Sequence, residues 1–164
     1  MPNWVTNELV LKGPGDMLET AQAMLGDADA EEEDQRLLDF SRLIAEPDDL
    51  PWSEGDDWRT EHWGSKWNAS SVSLAESPIT GLVRYTFETA WTPAIPLLAI
   101  IATKFPALSI DFAFIETSEL VAGRIRYAND SGWIEVSAAG DADSCVAVLE
   151  DSHLASPLSG PPRN

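Results

Sequence analysis

The residues most able to do chemistry are carboxylates, and they are crowded. Residues 27–57 hold 13 of the 28 acidic side chains, among them the block Glu31-Glu32-Glu33-Asp34, the pair Asp48-Asp49, and then Glu54, Asp56 and Asp57. Carboxylates held on a folded scaffold at spacings comparable to phosphates can occupy a nucleic-acid groove that a partner lines with Arg and Lys. Aromatic residues beside them would anchor such a contact. Against this stands the ordinary role of a charge run, which is a solvated face. These nine carboxylates are the candidate protein-interaction site.

A second cluster follows at once. The segment WRTEHWGSKWNA gathers Trp58, Arg59, Trp63, Lys66 and Trp67 within ten residues. Rings interleaved with cations and an amide can hold a base, a sugar or a peptide, so Arg59, Trp63, Lys66 and Trp67 form an alternative ligand site. The competing role is structural: Trp63 and Trp67, four residues apart, would plug the gap between an insertion and a sheet while Lys66 answers nearby carboxylates. Glu61 and His62 are adjacent and so point in different directions on a helix or a strand, which gives no acid/base couple.

Other chemistries lack their signatures. His62 and His153 are the only histidines and sit in no H-x-x-x-H pair, and the acidic runs lack the D-x-D-x-D-G pattern of a calcium loop. Cys145 has no companion cysteine and no histidine motif, and reads as a small hydrophobe. Gly13-Pro14-Gly15 is a turn without the lysine or spacing of a phosphate cradle. No catalytic residue, metal site or cofactor is predicted.

The totals agree with a binding role. At 164 residues, 44% hydrophobic and 23% charged, the chain can bury one domain's core. Its net charge of −18 repels phosphate backbones, which argues against direct nucleic-acid binding, and disfavours anionic membranes. The same field speeds encounter with basic surfaces. The N-terminal MPNWVTNELVLKG lacks the basic and apolar regions of a secretory signal, so a cytoplasmic protein is expected.

The elements that must position these groups are readable in outline. Trp4–Lys12 reads as a strand stopped by Gly13-Pro14-Gly15, and Asp16 as the cap of a helix with Met17, Leu18, Ala21, Met24 and Leu25 on one side. Leu37, Leu38, Phe40, Leu43 and Ile44 suggest a short helix ended by Pro47, and SEGDDW an acidic loop. ASSVSLAE and LVRYTFETAW read as strands joined by a turn from Ser77-Pro78 to Gly81. Thr92 and Pro93 start an apolar helix, SIDFAFIET is a strand, and VAGRIRYA and GWIEVSA flank the turn Asn129–Gly132 as a hairpin. The fold class is therefore α+β: a ferredoxin-like βαββαβ antiparallel sheet with helices on one face, an acidic Trp-rich insertion at about 27–68, and a C-terminal β-hairpin. One domain spans 1–140, and 141–164 form an extension whose last ten residues are expected to be disordered.

The segments MPNW, LDFSRLIAEPDDL, WGSKWNA and TAWTPAIPLLAIIATKFPALSIDFAFIE, in that order from Met1 to about Gly123, resemble the YubB-like family of plasmid- and phage-encoded proteins. The family is described as having a ferredoxin-like domain, so the resemblance implies that fold and carriage on a mobile element. It implies no activity. With the acidic insertion, the expectation is a non-catalytic interaction protein that inhibits a host DNA-targeting defence complex, CRISPR or restriction, in the host cytoplasm. Its partner would be a basic host protein or nucleoprotein complex. The alternative is a small-ligand or nucleotide-binding accessory domain using the WGSKW region. An exposed strand edge also permits a homodimer.

Overall fold

The computed structural model describes residues 2–77 and 81–155. Six antiparallel strands, β1 (Trp4–Lys12), β2 (Ser70–Ser77), β3 (Leu82–Ala90), β4 (Ser109–Glu116), β5 (Val121–Ala128) and β6 (Gly132–Ala139), form one sheet in the order β2-β3-β1-β4-β5-β6. The first four strands give the ferredoxin-like arrangement, and the β5–β6 hairpin widens it. Period-two patterning sets the faces. Leu9, Leu11, Val83, Tyr85, Phe87, Ile110, Phe112 and Ile125 point to one side and form the main core with α1 (Gly15–Leu25) and α4 (Pro96–Lys104). β1 lies between β3 and β4 and is buried on both faces from Asn7 to Leu11, which accounts for its apolar run Leu9-Val10-Leu11.

The hairpin turn follows its sequence. Ser131 N–H bonds Ala128 O at 3.2 Å, and Gly132 takes the left-handed conformation (φ +73°) that lets strand pairing resume opposite Ala128.

Besides Asp16, which stands inside the first turn of α1 and not at its cap, four local expectations change. The apolar spacing from Leu37 to Ile44 is not one helix: α2 (Glu33–Leu37) ends at an extended Leu38, and a single 3₁₀ turn covers Phe40–Arg42. Asp39 causes the break, because its carboxylate accepts from Ser41 N–H and Asn68 Nδ2 and is better used as a cap than inside a helix. The acidic SEGDDW is not a loop. It enters α3 (Gly55–Trp63), where Asp56 and Asp57 favour the positive end of the helix dipole and left-handed Gly64 closes it. Thr92 is not the cap of α4, which starts at Pro96, since the Thr92 hydroxyl donates to Gly64 O instead.

The fourth change concerns the second sheet face. The sequence pattern places helices on one face only, yet α5 (Ala142–Val148) and a 3₁₀ turn (His153–Ala155) pack on the other. Cys145, Leu149 and Leu154 meet Ala113, Ile115 and Ala122 there in a separate small core. Ile115, out of step with the main-core alternation of β4, points into it. Residues 141–155 therefore belong to the folded body. The predicted disorder of the last ten residues falls, apart from Ala155, outside the described residues, as does most of the turn at Ser77–Gly81.

Candidate interaction surface

The nine predicted carboxylates divide into two kinds. Asp34, in α2, accepts the N–H groups of Ser71 and Val72 at 3.0 and 2.8 Å. Those donors lie at an irregularity in β2 where pairing with β3 skips between Ser70 and Ser73 and Ser71 adopts φ +51°. Asp34 thus satisfies amides that the sheet leaves open. Asp56, in α3, receives Arg59 at 2.7 Å and Lys66 at 3.1 Å, and the hydrogen bond from Lys66, then that from Arg59, holds its carboxyl below the usual carboxylate range. Asp34 ties the insertion to β2, and Asp56 holds α3 to the segment that follows it.

The other seven, Glu31, Glu32, Glu33, Asp48, Asp49, Glu54 and Asp57, are exposed, and among the described residues none forms an ion pair. Glu31–Glu33 lie at the start of α2, which packs beside β2; Asp48–Asp57 lead into α3, which packs against α4. Trp52 stands in this second group at 97% exposure. The insertion beneath them is tied down by arginines. Arg36 donates to Ala30 O and Glu31 O, and Arg42 to Ala23 O and Met24 O at the end of α1. Arg59 reaches Glu46 Oε1 and Lys66 O at 2.7 Å each.

The alternative ligand site does not assemble. Trp63 is buried, donates Nε1–H to Ile44 O, and packs edge-on against Phe40 and Trp58. Arg59 is consumed by Glu46, Asp56 and a backbone oxygen. Only Lys66 and Trp67 stay near the surface, with Lys66 Nζ 5.7 Å from the Trp67 ring centre and Trp67 tilted against Trp4 at 6.1 Å. Trp67 is 42% exposed, so it does not plug the insertion as its spacing from Trp63 suggests.

A further constellation, which the sequence pattern does not reveal, lies on the second sheet face. There Arg124, 5% exposed, grips Asp111 with two N–H groups at 2.7 and 2.8 Å and donates to Glu150 O. Burial pushes Asp111 up, but Arg124, with Arg126 and Lys12 nearby, holds it below the usual carboxylate range. Beside it the buried Glu8 carboxylate lies 3.5 Å from Arg84 Nε and accepts Ser152 Oγ at 3.1 Å and His153 N at 3.3 Å. The signal was present as charges at alternate positions of GRIRY and in SIDFAF, but which charge faces which depends on strand register. These groups fasten the C-terminal segment to the sheet. Among the described residues no group of three or more His, Cys, Asp or Glu side chains converges in a way that could hold a metal ion, and no helix is long and apolar enough to cross a membrane.

No curated protein matches the chain by sequence. Among solved structures, the crystal structure of protein api92 from Yersinia pseudotuberculosis matches with a TM-score of 0.56 at 10% identity, covering 86% of this chain and 100% of that one. At that identity the likeness speaks for the fold. A family model described as the ferredoxin-like domain in Api92-like protein matches residues 62–153, from the end of α3 through β6 and α5. Since that stretch is more than half of the 164 residues, the chain belongs to the Api92-like family of ferredoxin-like proteins.

Proposed function

We propose that this chain is a non-catalytic interaction protein of a phage or plasmid that docks a basic host protein on its acidic insertion and inhibits a DNA-targeting defence complex, restriction or CRISPR. The observation that carries the reading is the set of exposed carboxylates that, among the described residues, have no ion-pair partner, four of which (Asp48, Asp49, Glu54 and Asp57) flank in sequence a Trp52 that is 97% exposed. A large ring held out in water is costly to solvation and useful as an anchor. The carboxylates that flank it in sequence would meet Arg and Lys side chains in place of phosphates. Their presentation on a braced scaffold lowers the ordering cost of binding. The resemblance to plasmid- and phage-encoded proteins supports carriage on a mobile element, where blocking a host nuclease is an advantage.

The test is phage plating on strains that each carry one restriction or CRISPR system, with and without the chain. Expression is expected to raise plating efficiency against at least one system, and the combined change Asp48→Asn, Asp49→Asn, Glu54→Gln, Asp57→Asn with Trp52→Ala is expected to abolish that protection. Protection that survives these five changes overturns the docking site; no protection against any system overturns the role.

A further inference from the structure

The other outstanding surface is the outer edge of β6, which pairs only with β5 and has no further strand beside it among the described residues. Its eight residues, GWIEVSAA, pair with β5 in unbroken register and contain no Pro, Lys or bulge. These are the devices by which edge strands usually avoid pairing. Trp133, Ile134 and Val136 are 44%, 57% and 53% exposed, so apolar side chains stand uncovered on both faces of one strand. On the main-core face, Trp133 and Glu135 border an open groove of about 160 Å³ against Ile95, Leu98 and Ala99 of α4.

We infer that this edge is completed by a second copy of the chain, β6 against β6, antiparallel about a two-fold axis at Val136. Two copies of charge −18 can approach only where carboxylates are sparse, and β6 carries a single one, Glu135. A two-fold axis perpendicular to the sheet makes one residue face its own copy, with its neighbours paired symmetrically on either side. About Val136, Glu135 faces Ser137, Ile134 faces Ala138, and Trp133 faces Ala139. Each large side chain meets a small one, and the carboxylate meets a hydroxyl. About Glu135 the two carboxylates would confront each other, and about Ile134 the Trp133 ring would meet Glu135. Size and charge together favour the Val136 register over these two. The paired strands span about 27 Å at about 3.4 Å per residue.

This inference does not rest on the acidic insertion, and its salt dependence has the opposite sign. Salt screens the repulsion of like-charged copies, so dimerisation strengthens between about 0.05 and about 0.5 M NaCl, whereas docking of a basic partner weakens. Sedimentation equilibrium of the full chain up to about 500 µM is expected to show a monomer–dimer equilibrium, and Val136→Lys to weaken it at least about tenfold by facing two ammonium groups. Because Val136 is more than half exposed, that variant is expected to keep its fold, checked by circular dichroism. Register is read by oxidation of two single-cysteine variants. Val136→Cys faces itself at about 4.5–5.5 Å between Cα atoms and crosslinks. Ile134→Cys lies four residues, about 14 Å, from its copy and does not; the native Cys145 is fully buried. A chain monomeric at every concentration and salt overturns the inference and leaves the edge to a strand of another protein. A dimer unaffected by Val136→Lys, or one that crosslinks equally at both positions, overturns the register and the surface.

Discussion

Asp111 is the residue on which the second sheet face turns. Its bidentate contact satisfies an arginine that is 5% exposed, and removing one partner of such a pair leaves an uncompensated buried charge. Asp111→Asn is expected to cost about 3 kcal/mol at neutral pH, measured by urea unfolding. The pH dependence has a definite sign. The folded carboxyl titrates below its unfolded value of 3.8, so its contribution is complete above that value and is lost as pH falls through the lower, folded one. The gap between wild type and variant should therefore close in strong acid. Gly64 offers a second residue-scale expectation. It closes α3 at φ +74°, and a Cβ there would lie 2.4 Å from Pro93 O and 2.6 Å from Pro96 Cδ, where α4 crosses. Gly64→Ala is expected to cost about 2 kcal/mol or more from strain and overlap together.

At the scale of elements, the C-terminal segment is a structural layer. Leu149 is fully buried against the sheet, and Glu8, itself 3% exposed, holds the following turn through Ser152 and His153. Leu149→Ala is expected to destabilise the whole domain by about 2–4 kcal/mol in one cooperative transition, not merely to free the segment. Separate transitions by tryptophan fluorescence and circular dichroism would contradict that. How far the elements were legible follows from the same physics. β1, β3, β4 and the hairpin announce themselves by alternation and by Gly or Pro at their ends, so the ferredoxin-like order could be read without contacts. α5 could not, because its seven residues offer only Cys145, Val146 and Val148 as bulky apolar positions, and its burial depends on a surface made by β4 and β5. The helix expected at Leu37–Ile44 fails for a related reason. Asp39 and Asn68 are 29 residues apart in sequence, and their hydrogen bond decides the local backbone. For the candidate site, the sequence located the acidic cluster but could not separate Asp34 and Asp56, which brace the insertion, from the seven carboxylates that face solvent.

At the scale of the whole molecule, the charge is unevenly distributed. Four of the ten basic side chains, Lys12, Arg84, Arg124 and Arg126, lie on the second sheet face, where Glu8 and Asp111 meet them. The insertion keeps Arg36, Arg42, Arg59 and Lys66 close to the backbone or to Glu46 and Asp56. Seven exposed carboxylates within residues 31–57 are thus left without a cation beside them, and their mutual repulsion opposes the compact state. Added monovalent salt should stabilise the isolated domain, because at about 1 M the screening length falls to about 3 Å. The sharper expectation concerns the variant Asp48→Asn, Asp49→Asn, Glu54→Gln, Asp57→Asn. Removing four like charges should raise the thermal midpoint at low salt and shrink its dependence on salt, measured by calorimetry between about 0.02 and about 1 M NaCl. If the same changes that stabilise the domain also abolish protection against a defence system, those carboxylates are retained at a cost to folding for the sake of a partner. A variant no more stable than wild type would mean that the carboxylates are already far enough apart, or well enough hydrated, to cost the fold nothing.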